Sequence, residues 1–420
     1  MKTSTRLLAG LFLVSLVSFG FIVRKPIGAL INVPLELPEG FKGQTVAQAL
    51  GRARHIAFNS NGDLFVKLER LNEGKGILRL RDTDKDGIFD DTLKFGNYIG
   101  TGIAVKNNYL YASSNDQVFR YKLNAQGDVE NMESPDLIVT GLVNKRQHAS
   151  KSITLDNAGN IYVNIGAPSN VCQEEDRKKG SPGMNPCPIL ETAGGIWQFK
   201  ADKLNQSYAE GIRYSTGLRN VVGLDWNSSV NDLYAMQHGR DGLFQNFPDL
   251  FDQKAGANNP AEELFRLKKG ADCGWPYCYF DNDKQKKLVN PEYGGDRNRD
   301  DLCEGKTKSI VQFPGHMAPN ALLFYTGKQF PARYKNGAFI AFHGSWNRAP
   351  EPQAGYFVVF VPFKDGMPSG NWEVFANGFA GENINRAKYR PCGLAQSPDG
   401  SLYVSDDNTG MIWKISYAGK

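Results

Sequence analysis

The sequence predicts an all-β fold, a six-bladed β-propeller with long loop insertions in the later blades. A pair of short apolar strands, separated by a turn containing Asn, Asp or Gly, occurs six times along the chain. Repetition of one small sheet is typical of propeller blades, and six matching repeats make a pair of β-sandwiches the weaker alternative. Gly and Pro recur too often for helices of ordinary length. The second strand of every pair has an aromatic residue between two apolar ones, at Phe65, Tyr111, Tyr162, Tyr234, Phe339 and Tyr403.

The repeats follow one another in order, and a third apolar strand comes after each pair. The strands are expected at 56–58, 64–66 and 77–80; 103–105, 110–112 and 118–121; 153–155, 161–163 and 196–199; 223–226, 233–235 and 264–267; 322–324, 338–340 and 356–360; and 393–395, 402–404 and 412–415. The spacing between successive aromatic residues ranges from 46 residues, between Phe65 and Tyr111, to 105 residues, between Tyr234 and Phe339. Long insertions are therefore expected in the later blades. The stretch 41–50 is expected to complete the last blade and close the ring.

The extreme N-terminus differs from the repeats. Residues 7–23 are apolar and uncharged over 17 positions, and Lys2 and Arg6 precede them. This pattern is typical of a secretory signal peptide, and its length also reaches the lower limit for a membrane-spanning helix. The sequence therefore predicts a signal peptide or N-terminal membrane anchor at 1–28 and a propeller domain at 35–420. We expect export to the periplasm or the extracellular space, with anchoring through residues 7–23 as the open alternative.

The six cysteines agree with export, because disulfides persist in oxidising compartments. We expect local bridges Cys172–Cys187 and Cys273–Cys278, which leave Cys303 to pair with Cys392. No Cys-x-x-Cys spacing occurs, so a metal site made of cysteines is disfavoured. The formal net charge is +5, but basic and acidic residues are interspersed. The chain therefore offers no basic face for a nucleic-acid partner.

A polar loop before the third repeat is the first candidate site. Lys145, Arg146, Gln147, His148 and Lys151 crowd a short segment that leads into the apolar strand 153–155. Loops held by a rigid sheet carry a large share of binding and catalytic residues. Among the five histidines, His148 is the one that we predict to be a catalytic base, since imidazole titrates near neutral pH. For His316 and His343, lining the central mouth and packing beneath a loop are both open.

Two further segments place polar groups beside core strands. Arg219 and Asn220 stand directly before strand 223–226, where a cation and an amide would face the mouth of a propeller. Gly239 and Arg240 follow strand 233–235, and glycines there would let backbone carbonyls turn towards a cation.

An acidic segment in the first repeat resembles the front half of a calcium loop. Asp82, Asp84 and Asp86 alternate, and a glycine follows them at the position of the sharp turn. Leu93 occupies the place of the closing glutamate of an EF-hand, so Asp90 or Asp91 would have to replace it. A structural calcium site and an ordinary acidic hairpin turn are both open.

The order of these pieces carries a family resemblance. The chain contains the His148 loop, Thr216-Gly-Leu-Arg219-Asn220, Gln237-His238-Gly239, Glu262-Glu263, Cys273-Gly-Trp-Pro276, and Ala318-Pro319 leading to Phe324-Tyr325. This order resembles the soluble glucose/sorbosone dehydrogenases that depend on pyrroloquinoline quinone (PQQ). The sorbosone dehydrogenase branch is nearer, through the segments His316-Met-Ala-Pro319, His343-Gly-Ser-Trp-Asn-Arg348, Arg390-Pro391 and Ser405-Asp406-Asp407. The resemblance extends over residues 37–417.

The resemblance implies a dehydrogenase domain at 35–420, with PQQ over the central mouth and a calcium ion beside it. It implies that His148 takes the proton from the anomeric hydroxyl of a sugar while a hydride passes to PQQ. It further implies that Arg219 stabilises the developing negative charge. The remaining implied ligands are Asn220, Arg348, Arg386, Arg390 and Lys151 for PQQ, and the backbone carbonyls of Gly239 and Arg240 for calcium.

One position departs from the family pattern. Glucose dehydrogenases of the family have an aspartate shortly after the histidine strand, which orients the histidine, whereas Ala167 follows Gly166 here. The prediction is an exported PQQ- and calcium-dependent oxidoreductase acting on a sorbosone- or glucose-like sugar and passing electrons to an unspecified acceptor. One alternative is a calcium-dependent lactonase-type hydrolase, which would need carboxylates around a central ion. The other is a non-catalytic propeller that binds a sugar or a protein. The several arginines favour PQQ.

Overall fold

The computed structural model describes residues 30–419. The predicted signal or anchor at 1–28, with its apolar stretch 7–23, lies outside the described residues. Between residues 30 and 419, none of the helices combines the length and the apolar character that crossing a bilayer requires.

Six antiparallel sheets form a ring, which confirms the predicted six-bladed β-propeller. The four core strands of blades 1, 2 and 3 are Ala53–Phe58, Leu64–Asn72, Lys75–Arg81 and Asp91–Phe95; Ile103–Lys106, Tyr109–Ser113, Val118–Lys122 and Asp136–Thr140; and Ile153–Leu155, Asn160–Ile165, Gly195–Lys200 and Ile212–Thr216. Those of blades 4, 5 and 6 are Val221–Asn227, Asp232–Gln237, Glu262–Leu267 and Val311–Phe313; Pro319–Phe324, Ala338–Phe342, Phe357–Val361 and Glu373–Ala376; and Pro391–Gln396, Leu402–Asp406, Ile412–Tyr417 and Phe41–Ala47. Short parallel strands, Gln206–Ser207 and Ala271–Asp272, extend blades 2 and 3.

The two ends of the propeller are joined within blade 6. Strand Phe41–Ala47 pairs antiparallel with Ile412–Tyr417, with Phe41 opposite Tyr417. This is the closure that the sequence predicted for the stretch 41–50. Because the first strand completes the last sheet, the ring cannot open unless a full strand pairing is lost.

Six apolar cores fill the spaces between neighbouring blades, and each contains one aromatic residue of the repeat. Phe65 of blade 1, for example, packs in one cluster with Leu110 and Tyr121 of blade 2, and Tyr403 of blade 6 packs with Ile56 of blade 1. The other four clusters contain Tyr111, Tyr162, Tyr234 and Phe339. Burial of one such side chain contributes about 2–3 kcal/mol. The aromatic repeat therefore marks the blade interfaces.

The insertions lie in blades 3, 4 and 5. Blade 4 carries the helices Leu243–Asn246 and Gln253–Asn258 and the hairpin Cys278–Asp281 with Lys286–Val289. Blade 5 carries the hairpin Phe363–Lys364 with Met367–Pro368. The described 3₁₀ helices are Pro188–Glu191, Tyr208–Glu210, Pro291–Tyr293, Asp301–Cys303, Ala332–Tyr334 and Ile384–Arg386.

The disulfide prediction is confirmed for one pair and wrong for the other two. Cys172 pairs with Cys187 as expected, but Cys278 pairs with Cys303. Cys273 and Cys392 are buried free thiols. Cys273 packs in the core between blades 3 and 4, whereas Cys278 lies in the blade 4 hairpin. The short sequence separation favoured a Cys273–Cys278 bridge, but Cys273 lies in an interblade core and Cys278 lies in the hairpin outside it.

Candidate active site

The first strands of all six blades begin at the same end of the ring, and a cavity of about 520 Å³ lies there, which we call the mouth cavity. Each blade places at least one polar residue in its lining, at or just before its first strand. These residues are Arg54, Thr101, Ser150, Asn220, Asn320 and Arg390. The shared strand direction thus brings together side chains that are far apart in the sequence.

His148 lines the mouth cavity, and a backbone carbonyl orients its ring. Its Nδ1 lies 2.5 Å from the carbonyl oxygen of Ala167. Because a carbonyl only accepts, Nδ1 carries the hydrogen and Nε2 keeps a free lone pair. Burial, followed by the positive charge of Arg219, lowers the pKa of His148 to about 3. The ring is therefore neutral near pH 7, and a carbonyl takes the orienting place that an aspartate has in the glucose dehydrogenases.

The close fit around His148 depends on Gly166. A Cβ at Gly166 would lie 2.6 Å from the Cβ of His148 and 3.1 Å from the Oδ1 of Asn220. His148 itself has a φ of +53°, in the left-handed region that non-glycine residues rarely adopt. Such strain concentrates at functional sites, where the surrounding structure enforces it.

Arg219 is buried, and its guanidinium donates four hydrogen bonds. Its guanidinium donates to the backbone and side-chain oxygens of Asn170, to Oδ2 of Asp241 at 2.8 Å and to the carbonyl of Gly239 at 2.9 Å. Burial acts to raise the pKa of Asp241, but the charge of Arg219 overcomes it and the pKa is lowered. Arg219 therefore forms a buried ion pair with Asp241 next to His148. It also donates to the carbonyl of Gly239, which the resemblance assigns to calcium.

Three arginines, Arg54, Arg146 and Arg390, also line the mouth cavity, together with His343. Both ring nitrogens of His343 face acceptors, the carboxylate of Asp407 at 2.7 Å and the carbonyl of Gly344 at 3.0 Å. His343 is therefore held in place by contacts within the protein.

Asp407 connects His343 to Arg54, whose Nη1 donates to its Oδ2 at 2.9 Å. Burial opposes ionisation, but the charges of His343 and Arg54 lower the pKa of Asp407. The sequence reasoning did not single out Arg54 or assign a role to Asp407. A search for polar residues at the start of every first strand would have found Arg54.

Several residues that were predicted to bind PQQ do not line the mouth cavity. The guanidinium of Arg348 donates to the carbonyls of Ala257 and Gly315 and to Oδ1 of Asn258, among the blade 4 loops. Arg386 is exposed and lines an adjoining cavity of about 550 Å³, which shares Arg390 with the mouth cavity.

Lys151 and the side chain of Arg240 are engaged within the protein. The Nζ of Lys151 is fully buried and donates to the carbonyl of Ala149 at 2.5 Å, and burial lowers its pKa to about 8. The side chain of Arg240 forms an ion pair with Glu292. His316 is buried and faces the carbonyls of Gly256 and Asn259, which is packing beneath a loop.

The acidic turn of blade 1 brings three carboxylates together. One oxygen each of Asp82, Asp84 and Asp86 lies within 4.8 Å of the others, between the third and fourth strands of the blade. Asp90 instead accepts from Thr83, and Asp91 pairs with Arg79. The turn has the hard oxygen groups that calcium prefers, far from the mouth cavity, and the calcium site stays a prediction.

The residues of the mouth cavity fit a flat polyanion. Among the residues that line the mouth cavity, Nε of Arg54, Nε of Arg390 and Oδ1 of Asn220 are buried without a hydrogen-bond partner. Unpaired buried polar atoms are costly, so they indicate a place where a bound group completes the bonding. Guanidinium groups match carboxylates in planar geometry, and a volume of about 520 Å³ is that of a cofactor site. The donor set therefore suits a polycarboxylate cofactor.

Comparison with known proteins agrees with this geometry. A pyrroloquinoline quinone-dependent pyranose dehydrogenase of Coprinopsis cinerea is 25% identical over 436 residues, covering 91% of this chain and 54% of that protein. A pyrroloquinoline quinone-dependent sugar dehydrogenase of Hypocrea jecorina is 23% identical over 416 residues, covering 90% of this chain and 88% of that protein. The solved structure of a Trichoderma reesei carbohydrate-active enzyme of family AA12 has the same fold. It is 20% identical with a TM-score of 0.74, covering 92% of this chain and 98% of that one. The family model described as TrAA12-like matches residues 35–418, and the chain belongs to this family.

Proposed function

We propose that this chain is an exported PQQ-dependent oxidoreductase that oxidises a sugar, with a sorbosone- or glucose-like aldose as substrate and His148 as general base. The observation that carries the proposal is a neutral imidazole beside a cavity lined by arginines, two of which have a buried Nε without a hydrogen-bond partner. The two curated relatives named above support PQQ and a sugar. Two disulfides support export.

Different residues of this chain would bind PQQ and calcium. Arg54 and Arg390 would hold the carboxylates, and Asn220 would complete its bonding at the cofactor edge. The carbonyls of Gly239 and Arg240 would hold calcium, which requires Arg219 to release the Gly239 carbonyl. When bound, PQQ supplies a quinone that accepts a hydride from the sugar carbon.

The proton step belongs to His148. Its Nε2 takes the proton of the sugar hydroxyl, and the carbonyl of Ala167 then stabilises the positive ring through Nδ1–H. Arg219 acts on this step by its charge, since it favours the neutral ring before reaction and the anionic oxygen that develops on the sugar.

The hydrolase alternative lacks its metal ligands at this place. Within residues 30–419, the one group of three or more ligating carboxylate, imidazole or thiolate side chains is the turn of Asp82, Asp84 and Asp86. A lactonase-type centre needs such a group in the mouth cavity, where three arginines and one carboxylate, Glu69, are the charged side chains apart from the histidines.

The test is reconstitution of the purified protein with PQQ and calcium. We expect an absorbance change on PQQ addition and sugar-dependent dye reduction with at least one aldose. A His148→Ala variant should bind PQQ equally but reduce dye about 10²–10⁴-fold more slowly, the usual contribution of a general base. No absorbance change would refute the proposal, and binding without oxidation of any sugar would support a non-catalytic propeller.

A further inference from the structure

A segment closed by a disulfide contacts both Gln147, the residue before His148, and Arg219. Cys172 pairs with Cys187, and the residues just before and after Cys172 form contacts with two loops of the mouth. We call residues 169–177 the clamp. The clamp belongs to the insertion between the second and third strands of blade 3, and its residue Asn170 is 1% exposed.

On one side, the clamp holds Arg219. The backbone oxygen of Asn170 accepts from Nε of Arg219 at 3.1 Å, and its Oδ1 accepts from Nη2 at 3.0 Å. Asn170 also exchanges two hydrogen bonds with the backbone of Asp241, through Oδ1 at 2.9 Å and Nδ2 at 3.0 Å. Asn170 therefore fixes both members of the Arg219–Asp241 ion pair.

On the other side, the clamp holds the neighbour of His148. Oδ2 of Asp176 accepts from Nε2 of Gln147 at 2.6 Å, and its Oδ1 accepts from the backbone N–H of Asn170 at 2.8 Å. Arg177 donates to Oε1 of Gln147 and to Oδ2 of Asp241. One carboxylate thus joins the loop of His148 to the residue that holds Arg219.

These contacts stabilise a histidine that the rest of the site holds by few interactions. His148 has a strained backbone, with φ at +53°, and its ring is oriented by a carbonyl instead of a carboxylate. Strained residues stay in place only when neighbours fix them. Gln147 precedes His148 directly, so a shift of the backbone at Gln147 also moves His148.

We propose that Asp176 and Asn170 are positioning residues that fix His148 relative to Arg219, with the Cys172–Cys187 disulfide holding the clamp in place. The proposal rests on the proposed function, in which His148 is the base and Arg219 is its cationic neighbour. Asp176 acts through Gln147, and Asn170 acts through Arg219.

The test compares Asp176→Asn with Glu175→Gln in the full chain. Both variants remove one negative charge, but Glu175 pairs only with Lys178 on the surface among the described side chains. In protein labelled with ¹⁵N-histidine, we expect Asp176→Asn to raise the pKa of His148 by about one pH unit. The loosened loop admits water, whereas Arg219, Asp241 and His238, the charged and titratable groups that act on His148, are unchanged. Glu175→Gln should titrate like the parent protein.

Kinetics separate positioning from stability. In Asp176→Asn we expect kcat to fall about tenfold with KM within about twofold, because a displacement near 1 Å is enough to slow a positioned reaction. If that variant does not fold, Gln147→Ala removes the same hydrogen bond from the other partner and should show the same shift.

The outcomes are distinct. A raised His148 pKa without any sugar oxidation by the parent protein would support the positioning role and refute the proposed function. An unchanged His148 titration in both Asp176→Asn and Gln147→Ala, or an equal shift in Glu175→Gln, would overturn the positioning role.

Discussion

The backbone carbonyl that orients His148 affects how strongly its imidazole binds a proton. A carboxylate next to an imidazole favours its charged form, whereas the neutral carbonyl of Ala167 gives weaker support. Burial and the charge of Arg219 both favour the neutral ring. His148 is therefore a weak base, and its ring stays neutral in mildly acidic conditions.

This predicts the pH dependence of sugar oxidation. With His148 as the proposed base, activity requires its neutral ring and is lost as the pH falls through its pKa, which is lowered to about 3 from an ordinary value of 6.5. We expect the acidic limb of kcat/KM to lie well below pH 6.5, measured with reconstituted protein and a saturating dye. A limb at or above pH 6.5 would show that another group is the base.

At the scale of elements, the site is placed by the ends of strands. Strand Asn160–Ile165 of blade 3 runs into Gly166 and Ala167, and the N–H of Ala167 donates to the carbonyl of Arg219 at 2.8 Å. One short connection therefore contacts His148, Asn220 and Arg219. Its geometry has no room for a side chain at Gly166.

A Gly166→Ala substitution tests this close fit. The added methyl would meet His148 at 2.6 Å, so we expect the imidazole to move and kcat to fall at least about tenfold. The methyl would also meet the backbone oxygen of His148 at 2.7 Å, so stability should fall as well, by about 1–3 kcal/mol. Gly159→Ala is the control, because Gly159 lies in the turn before the same strand at φ +78° with open space around it. Equal activity in the two variants would contradict the prediction.

The two disulfides should have different effects on the site. Each closes a loop, of 15 residues for Cys172–Cys187 and 25 for Cys278–Cys303, so loss of either should cost about 3 kcal/mol of stability. Only the first closes the clamp. We expect the double variant Cys172→Ala/Cys187→Ala to lose most sugar oxidation at a temperature where both variants are folded. The matched variant Cys278→Ala/Cys303→Ala should retain it, as followed by circular dichroism and dye reduction.

At the scale of the whole molecule, the central channel has two different ends. The first strands begin at the cationic mouth cavity and finish at a second cavity of about 380 Å³, which Lys106, Asp225 and Gln396 help to line. Burial raises the pKa of Asp225 to about 7, although its two oxygens accept from the backbone N–H groups of Trp226 and Phe324. The arginines of the mouth cavity therefore lie at one end of the ring, and the other end carries a carboxyl whose protonated form is favoured by burial.

Asp225 should make stability depend on pH. Its pKa is higher in the folded than in the unfolded chain, so its contribution is fully present below about pH 4 and is lost as the pH rises towards 7. The effect is at most about 1.4 kcal/mol for each tenfold difference in proton affinity. We expect the free energy of unfolding of Asp225→Asn, relative to the parent protein, to increase between pH 4 and pH 7, measured by urea denaturation. A constant difference across this range would contradict the assignment.

The sequence by itself determined the ring and one part of the site. The aromatic residue between two apolar ones is a local pattern, and because each one is buried at a blade interface, it predicts the number and order of the blades. His148 and Asn220 could be found in the same way, since both precede apolar first strands and both line the mouth cavity.

The tertiary structure alone decided which distant groups meet. Arg54 and Asp407 are 353 positions apart and hydrogen-bond because blades 6 and 1 are neighbours once the ring closes. The carbonyl that orients His148, the loops that engage Arg348 and the pairing of Cys278 with Cys303 likewise depend on how insertions fold over the blades. Periodicity records which side of a strand is buried. It holds no information on which loops come together above the ring, because that is set by ring closure and by the packing of long insertions.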